Sequence, residues 1–253
     1  MRTGVKPVSD HNKFYLTEDR RNQPREFFKF LRTLAGRRLD ANPTARILDV
    51  GCANGEFLYY LRSCHTRIRP EGIDVSEEVL AKARELVPDG KFSVGDIQTG
   101  ENLPGGQFDL VFMSGVHYLL GDCERWLRNL ISLCHGAVFV FGVFNPDDLD
   151  FRAVVTRPGD TSSSTPWNLI SQKSISLLLN RMKPGMTHRF YNWELPVDNP
   201  RRHADPMRTW TIKTDAGRRL QINGLQIVHP LAVLEIEVGA IYSGHGRSPR
   251  AES

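Results

Sequence analysis

The sequence predicts an α/β fold in which a doubly wound, mainly parallel sheet carries helices on both faces. Short apolar runs that end in an acid or a glycine alternate with segments of helical apolar spacing. The run at residues 137–144 is apolar almost throughout, as expected for a central strand that is covered on both faces. With 253 residues and 40% hydrophobic content, the chain can bury one large core and carry a small appended lobe.

The first segment, residues 1–43, is predicted to be an arm followed by a helix. Residues 1–21 are polar except for the apolar island FYL at residues 14–16, which predicts either a loose arm or a flap that folds over a site. A helix is predicted over residues 24–38, because Pro24 suits a first turn and the apolar side chains that follow form one broad stripe.

The middle segment, residues 44–144, alternates predicted strands with predicted helices. Ser76 is expected to cap the helix after the second strand, and Asp122 the helix after the fourth. This alternation is typical of strand-helix-strand units around a parallel sheet. The predicted strands are residues 47–50, 72–75, 91–94, 108–113 and 137–144.

The alternation ends in residues 145–207, which are predicted to form a substrate-side insertion or lid. Residues 147–166 are rich in Asp, Ser, Thr, Pro and Gly, which indicates a long loop, and a helix is predicted over residues 171–179. Residues 208–242 are predicted to supply strands that complete the sheet, and residues 243–253 a disordered tail. The late strand-like runs are residues 189–195, 208–214, 219–222 and 231–238.

Charge, cysteines and the first residues argue against several classes of protein. The net charge is only +4 and no long basic tract occurs, so nucleic acid is not indicated as a partner. The four cysteines stand in unrelated contexts without a CxxC pair, which disfavours a zinc cluster and a disulfide scaffold and predicts reduced thiols in a cytoplasmic protein. No apolar signal segment and no run of 18 apolar residues occurs, so neither secretion nor membrane spanning is predicted.

The most informative stretch is residues 47–61, which read ILDVGCANGEFLYYL. An apolar run ends in Asp49, a turn containing Gly51 and Gly55 follows, and helical apolar spacing then resumes. A strand, a tight turn and a helix in this order build a crevice of the size of a nucleotide. A strand-turn-helix unit without a ligand gives the same pattern, so the segments that follow decide between the two interpretations.

These residues resemble motif I of the class I S-adenosylmethionine (SAM) dependent methyltransferases, an acid-x-Gly-x-Gly-x-Gly pattern that ends the first strand. Asp49, Gly51 and Gly55 match it, and Ala53 stands at the middle glycine. The G-x-G-x-x-G pattern of NAD-dependent enzymes needs two further glycines where Ala53 and Glu56 stand. The resemblance implies a Rossmann-like, mainly parallel seven-stranded sheet with an antiparallel last strand and a C-terminal insertion or lid.

Further matches fall at the ends of successive strands, where ligands of open α/β sheets bind. The resemblance implies that Asp74 accepts hydrogen bonds from both ribose hydroxyls of SAM, that Asp96 accepts one from the adenine amino group and that Ile97 packs on the ring. It also implies that Asp49 lies beneath the methionine amino end of SAM and that the backbone of residues 51–55 lies against the cofactor. The implied cofactor-binding residues are Asp49, Gly51, Cys52, Ala53, Gly55, Asp74, Val75, Asp96, Ile97 and Ser114.

The segment FDLVFMSGVHYLL at residues 108–120 resembles motif IV of the same family and the loop that follows it, which lie beside the transferred methyl group. His117 has a near-neutral reference pKa, so it can act as a general base toward a hydroxyl or an amine, and Tyr118 is a second catalytic candidate. A packing role for His117 is the alternative, because methyl transfer from an activated carbon can proceed by positioning alone. The NPPY tetrapeptide of amino-directed nucleic-acid methyltransferases is absent, which disfavours nucleic acid as a substrate.

The resemblance implies a SAM-dependent methyltransferase that modifies an oxygen or nitrogen of a small molecule, a sugar or another metabolite such as one of polysaccharide biosynthesis. S-adenosylhomocysteine (SAH) would be the product, and no metal is implied. Tyr15, Trp167 and Tyr191 are the predicted substrate-binding residues, and the basic residues 201–208 either meet an anionic substrate or form a solvated loop. The alternatives are an NAD-dependent oxidoreductase and a non-catalytic, methyltransferase-like binding protein.

Overall fold

The computed structural model describes residues 10–17, 21–201 and 205–239, and a mixed α/β sheet forms its centre. The strands are β1 Arg46–Val50, β2 Arg69–Asp74, β3 Lys91–Val94, β4 Phe108–Ser114, β5 Cys134–Asn145, β6 Phe151–Arg157, β7 Asp160–Ser171, β8 His188–Asn192, β9 Trp210–Lys213, β10 Arg219–Ile222 and β11 Leu231–Glu237. The helices are α1 Asp10–Thr17, α2 Glu26–Ala41, α3 Glu56–Cys64, α4 Glu77–Leu86, α5 Cys123–Ser132 and α6 Gln172–Met182, with a short 3-10 helix at His117–Leu119.

The main sheet has the strand order β3-β2-β1-β4-β5-β11-β8. Neighbours among β1 to β5 run parallel, whereas β11 is antiparallel to both β5 and β8. The strand order reverses at β1, where β2 lies on one side and β4 on the other. The predicted doubly wound, mainly parallel sheet with an antiparallel last strand is therefore confirmed, and β6 and β7, which join it through β5, bring the seven strands of this order to nine.

Helices cover both faces of the sheet. Side chains alternate along each strand, so that in β1 Leu48 joins one buried cluster and Ile47 the other. The first cluster contains apolar residues of α5 and α6, and the second contains those of α2, α3 and α4. Burial on both sides explains why β5 reads as a nearly continuous apolar run.

The segment after β5 contains more regular structure than the sequence predicts. Residues 147–166 were expected to form a loop, but β6 and β7 pair as an antiparallel hairpin, and the end of β7 runs parallel to the end of β5. Valine and threonine in this hairpin favour extended backbone, and its mostly exposed position accommodates the polar residues that resembled a loop.

The strands of residues 208–242 do not all complete the main sheet. Only β11 joins it, while β9 and β10 pair with each other in a separate two-stranded sheet. The main sheet gains β8 instead, which lies in the predicted insertion. Apolar alternation predicts a strand but carries no information on which sheet the strand enters. The predicted tail, residues 243–253, lies outside the described residues.

All four cysteines are free thiols. Burial raises the pKa of Cys123 and of Cys134 to about 12, so both remain protonated at neutral pH. Among the helices of the described residues, none has the length and apolar character needed to cross a membrane.

Alanine substitutions at two glycines, one in a crowded place and one in an open place, test the packing of this fold. A Cβ on Gly142 of β5 would lie 2.1 Å from Cε1 of His117, whereas a Cβ on Gly36 of α2 would meet nothing within 4 Å. Gly142→Ala is therefore expected to lower the free energy of unfolding by about 1–3 kcal/mol through overpacking. Gly36→Ala is expected to raise it by about 0.5–1 kcal/mol, because alanine favours a helix. Thermal unfolding measures both, and a Gly142→Ala variant as stable as the wild type would contradict this packing.

Candidate functional site

The loop after β1 adopts an unusual backbone conformation at three alternate positions. Gly51, Ala53 and Gly55 have φ angles of +72°, +47° and +79°. The first of these conformations is fixed by the neighbouring strand, since the amides of Gly51 and Cys52 both donate to the carbonyl of Ile73, at 2.8 and 3.1 Å. The loop ends at Gly55, which is the N-cap of α3.

The glycines of this loop are required by packing within the protein as well as by the backbone angle. A Cβ on Gly51 would lie 2.5 Å from Cγ2 of Val116, and a Cβ on Gly55 would lie 3.1 Å from that of Ala83. The resemblance implies that the backbone of residues 51–55 lies against a cofactor, and contacts inside the fold already account for both glycines. Ala53 occupies the left-handed region despite its methyl group, a conformation that costs a non-glycine residue about 1–2 kcal/mol.

Asp74, at the end of β2, is tied to this loop. Its Oδ2 accepts a hydrogen bond of 3.0 Å from the amide of Ala53, and its Oδ1 accepts one of 3.0 Å from the amide of Ser76. Each carboxylate oxygen can accept a second hydrogen bond, so capacity for two ligand hydroxyls remains. Burial raises the pKa of Asp74, and the backbone amides of Ser76, Ala53 and Val75 counteract this only in part.

Asp49 forms the second acid of the site. Its side chain is 3% exposed, and burial together with the nearby charge of Asp74 raises its pKa well above the ordinary value. Two carboxyl groups that repel each other in a buried place favour a positively charged ligand group, because such a group offsets both the repulsion and the loss of water.

The residues that follow β3 lie at the same edge of the sheet as the ends of β1 and β2. Oδ1 of Asp96 accepts hydrogen bonds from the amides of Gln98 and Thr99, at 2.8 and 3.3 Å, which fixes the turn after β3. Ile97 is 4% exposed and packs in the first core cluster with residues of α5. Little of its side chain is therefore available for the predicted contact with an adenine ring.

Two cavities meet at the end of β4. The smaller, of about 40 Å³, is lined by Asp49 of β1 and by the loop after β1, including Gly51 and Ala53. The larger, of about 520 Å³, lies on the other side of Ser114. Ser114 lines both cavities, and its Oγ is buried and has no hydrogen-bond partner in the described part of the chain. The other residues that line both are Tyr15, Arg25 and Phe27.

Helix α1 closes one side of these cavities. Nδ2 of Asn54, in the loop after β1, donates a hydrogen bond of 3.1 Å to the carbonyl of Tyr15. The guanidinium of Arg208 lies 3.7 Å from the ring centre of Phe14, and that of Arg25 lies 5.5 Å from the same ring. Cation-π contacts of this kind hold α1 over the site. Of the two predictions for residues 14–16, the flap agrees with this position.

His117, the predicted general base, does not line either cavity. Its Nε2 donates a hydrogen bond of 2.9 Å to the carbonyl of Val143, and its ring stacks on Phe144 with centres 4.4 Å apart. Burial lowers the pKa of His117 to about 4, so the ring is neutral at physiological pH. Its position argues against the general-base role and agrees with the packing role that the sequence left open.

Tyr118 does line the large cavity. Burial is the main reason that its pKa rises to about 12, and the neighbouring Tyr15 acts in the same direction. Its hydroxyl therefore stays protonated at neutral pH and can donate a hydrogen bond to a molecule in the cavity.

A family model described as a methyltransferase domain matches residues 47–135. This segment is a class I SAM-dependent methyltransferase domain. It contains the loop after β1, both acids at the strand ends and the motif around Ser114, so the resemblance predicted from the sequence is confirmed.

Curated relatives are similar over part of their length. The trans-aconitate 2-methyltransferase of Deinococcus radiodurans is 33% identical over 108 residues, which are 41% of this chain and 40% of that protein. The enzyme of the same name from Azoarcus sp. is 28% identical over 150 residues, 56% of each chain. The matched region thus spans between two fifths and somewhat more than half of these relatives.

Solved structures extend the similarity over most of the chain. The N-methyltransferase NodS from Bradyrhizobium japonicum, in complex with SAH, is 15% identical with a TM-score of 0.53, and the match covers 92% of this chain and 98% of NodS. The YcgJ protein of Bacillus subtilis is 14% identical with a TM-score of 0.52, over 80% of this chain and 97% of that one. At these identities the similarity shows a shared Rossmann-like fold.

The predicted substrate-binding residues lie in different places. Tyr15 lines both cavities. Trp167 is fully buried in a third apolar cluster, with Val143 and Leu169, and does not line the large cavity. Tyr191 donates a hydrogen bond of 2.6 Å from its hydroxyl to Oε2 of Glu235, because β8 pairs with β11. A role in direct substrate contact is therefore not supported for Trp167 or Tyr191.

The sequence analysis did not single out the side chains of four polar residues that line these cavities. They are separated along the chain and are brought together only by the fold. Asn54 lies inside the motif at residues 51–55, and the local sequence of the other three carries no signal apart from the His-Pro pair before the last strand. These residues are Arg25, Asn54, Gln221 and His229.

Proposed function

We propose that the protein is a SAM-dependent methyltransferase that transfers a methyl group to an oxygen or nitrogen of a small molecule held in the large cavity. The observation that carries this proposal is the meeting of two cavities at Ser114. One lies along the loop of the methyltransferase motif, and the other is large enough for a metabolite. A donor that lies along this loop with only its methyl end in the small cavity, and an acceptor in the large one, would be neighbours.

The residues of the site fit SAM. Asp74 retains acceptor capacity for the ribose hydroxyls, and Asp49 is a buried acid that favours a nearby ammonium group. The buried Oγ of Ser114 lacks a partner among the described residues, and a bound molecule could satisfy it. When bound, SAM supplies a methyl group on a positively charged sulfur, and SAH remains after transfer.

The chain contributes chiefly by positioning. A direct displacement needs the attacking atom and the methyl carbon in line, and holding two reactants in such an arrangement lowers the barrier substantially. Helix α1 covers the place where the cavities meet, and the protonated hydroxyl of Tyr118 can orient the acceptor. A carboxylate or a neutral amine attacks without a general base, which agrees with the absence of His117 from the cavity wall.

The acceptor that we propose to test first is a small acid. The curated relatives are named as trans-aconitate 2-methyltransferases, and trans-aconitate carries several carboxylates. Arg25 and Arg208 both line the large cavity. Nη2 of Arg25 is buried without a hydrogen-bond partner in the described ranges, so its guanidinium has donor capacity left for an anion. A sugar or another metabolite remains in the proposal as the broader class, and a cytoplasmic location remains a prediction.

Thermal unfolding in the presence of SAM and of SAH tests cofactor binding. A ligand that binds only the folded state stabilises it by about 2.7 kcal/mol at 100 times its dissociation constant, so the Tm is expected to rise by several degrees. Release of SAH in the presence of trans-aconitate, and of a panel of small acids, sugars and amines, measures transfer. If neither SAM nor SAH shifts the Tm at millimolar concentration, the proposal is wrong.

The alternatives give different outcomes in the same experiments. A shift with NADH but not with SAM would indicate an oxidoreductase. A shift with SAM but no SAH release over the whole panel would indicate a binding protein without transfer activity.

A further inference from the structure

A second buried histidine, His229, lies in the wall of the large cavity. It stands two residues before β11, and its backbone amide donates a hydrogen bond of 2.8 Å to the carbonyl of Gln221, at β10. Its ring lies 5.4 Å from that of Trp167, between ring centres. The small sheet and the third apolar cluster therefore fix the position of this imidazole.

The polar atoms at this place lack partners. His229 is 8% exposed, and its Nε2 is buried without a hydrogen-bond partner among the residues described. Gln221 is 4% exposed, and while its Nε2 donates to Oγ1 of Thr211 at 2.8 Å, its Oε1 is buried and unpartnered within the same ranges. Such groups destabilise a fold, so their presence together in a cavity wall points to a ligand.

His117 provides the contrast. Its Nε2 is bonded to the carbonyl of Val143, its ring stacks on Phe144, and it lies outside the cavity wall. Each imidazole thus has one buried nitrogen without a partner among the described residues, Nδ1 in His117 and Nε2 in His229, but only the ring of His229 borders the cavity. The motif directed attention to His117, whereas the position of the cavity directs it to His229.

The chemistry of His229 suits a hydrogen bond with a polar group of a ligand. Burial lowers its pKa to about 4, so at physiological pH the ring is neutral and offers one donor and one acceptor. The charged and titratable side chains that share the cavity wall are Tyr15, Arg25, Glu26, Tyr118, Asp198 and Arg208.

We infer that His229, beside Gln221, forms a hydrogen bond with the methyl acceptor and orients it in the large cavity. This inference rests on the proposed function, because it concerns the acceptor of the same reaction. It makes His229 a substrate-binding residue whose removal affects the acceptor and leaves SAM binding unchanged.

His229→Phe tests the inference, with His117→Phe as the matched control. Phenylalanine retains a ring against Trp167 and removes the unpartnered Nε2, so the Tm is expected to stay the same or to rise. His117→Phe leaves the carbonyl of Val143 without its donor, and its Tm is expected to fall by about 2–4 °C or more. A Tm loss in His229→Phe as large as that in His117→Phe would show that the ring of His229 is structural.

Kinetics supply the second measurement, with trans-aconitate as the probe acceptor or, where the wild type does not methylate it, the best acceptor of the panel above. In His229→Phe the KM for the acceptor is expected to rise about 10-fold or more, the cost of losing one hydrogen bond of about 1.4 kcal/mol. The dissociation constant of SAM, from calorimetry, is expected to stay unchanged, and His229→Gln is expected to recover part of the KM.

The remaining outcomes are decisive in different ways. An unchanged KM in a stable His229→Phe variant would overturn the inference and would mean that His229 contacts only water. A wild-type protein that binds SAM but methylates nothing would instead contradict the proposed function, while the Tm comparison would still decide whether the ring of His229 is structural.

Discussion

Replacement of Asp74 by asparagine is expected to weaken SAM binding by about 10-fold to 100-fold. The carboxylate can accept two ligand hydroxyls at once, and a hydrogen bond to a charged group contributes about 1.5–3 kcal/mol. Asparagine has a single acceptor oxygen, and the amides of Ala53 and Ser76 already donate to this side chain. Titration calorimetry with SAM and with SAH measures the change.

Glu85→Gln is the control for this experiment. Glu85 is an exposed acid on α4, the helix that begins after Asp74, so the substitution removes one negative charge nearby without touching the site. Its affinity for SAM is expected to equal that of the wild type. Equal affinities for all three proteins would mean that the ribose does not lie against Asp74, and the cofactor site would have to be placed elsewhere.

Asp49→Asn is expected to stabilise the ligand-free protein and to weaken SAM binding at the same time. In the folded state the pKa of Asp49 is raised above its ordinary value of 3.8, because burial and the charge of Asp74 disfavour the ionised carboxylate. Between that value and the raised pKa the folded state binds more protons than the unfolded state, so stability falls as pH rises through this window. Asparagine carries no such charge, so the free energy of unfolding at neutral pH is expected to rise.

The affinity of Asp49→Asn for SAM is expected to fall, although the stability of the ligand-free protein rises. The ammonium group of SAM would lose a buried carboxylate in Asp49→Asn, so the dissociation constant is expected to rise about 10-fold or more. Thermal unfolding at pH 5 and pH 8, with and without SAM, measures both effects, and Asp40→Asn on the exposed face of α2 is the control. A destabilised Asp49→Asn protein at pH 8 would contradict the electrostatic description of the site.

The core of the fold could be predicted because its signals are local. The strands from β1 to β5 are short apolar runs with helical segments between them, and the predicted cap at Asp122 is confirmed by its hydrogen bond of 3.0 Å with the amide of Arg125. The place of Asp49 and Asp74 in the site could be predicted because each stands at the end of a predicted strand. Ala53 could be recognised as a departure from the motif, and the structure adds that it adopts the backbone conformation of the missing glycine.

The acceptor side could not be predicted, since it depends on contacts between distant segments. His117 and His229 are both single histidines in sequence, and only the fold shows that the first donates to Val143 and that the second borders a cavity. Trp167 resembled a pocket residue, but β7 places it in the apolar cluster beneath the wall. Strand alternation likewise did not show that β9 and β10 form their own sheet.

A crystal structure of the protein with SAH tests the central claim most directly. The expected result is density for SAH along the loop after β1, with the ribose hydroxyls on Asp74 and the sulfur facing the large cavity beside Ser114. Binding of SAH at another place, or density in which its sulfur faces away from the large cavity, would contradict the proposal that donor and acceptor meet at the end of β4.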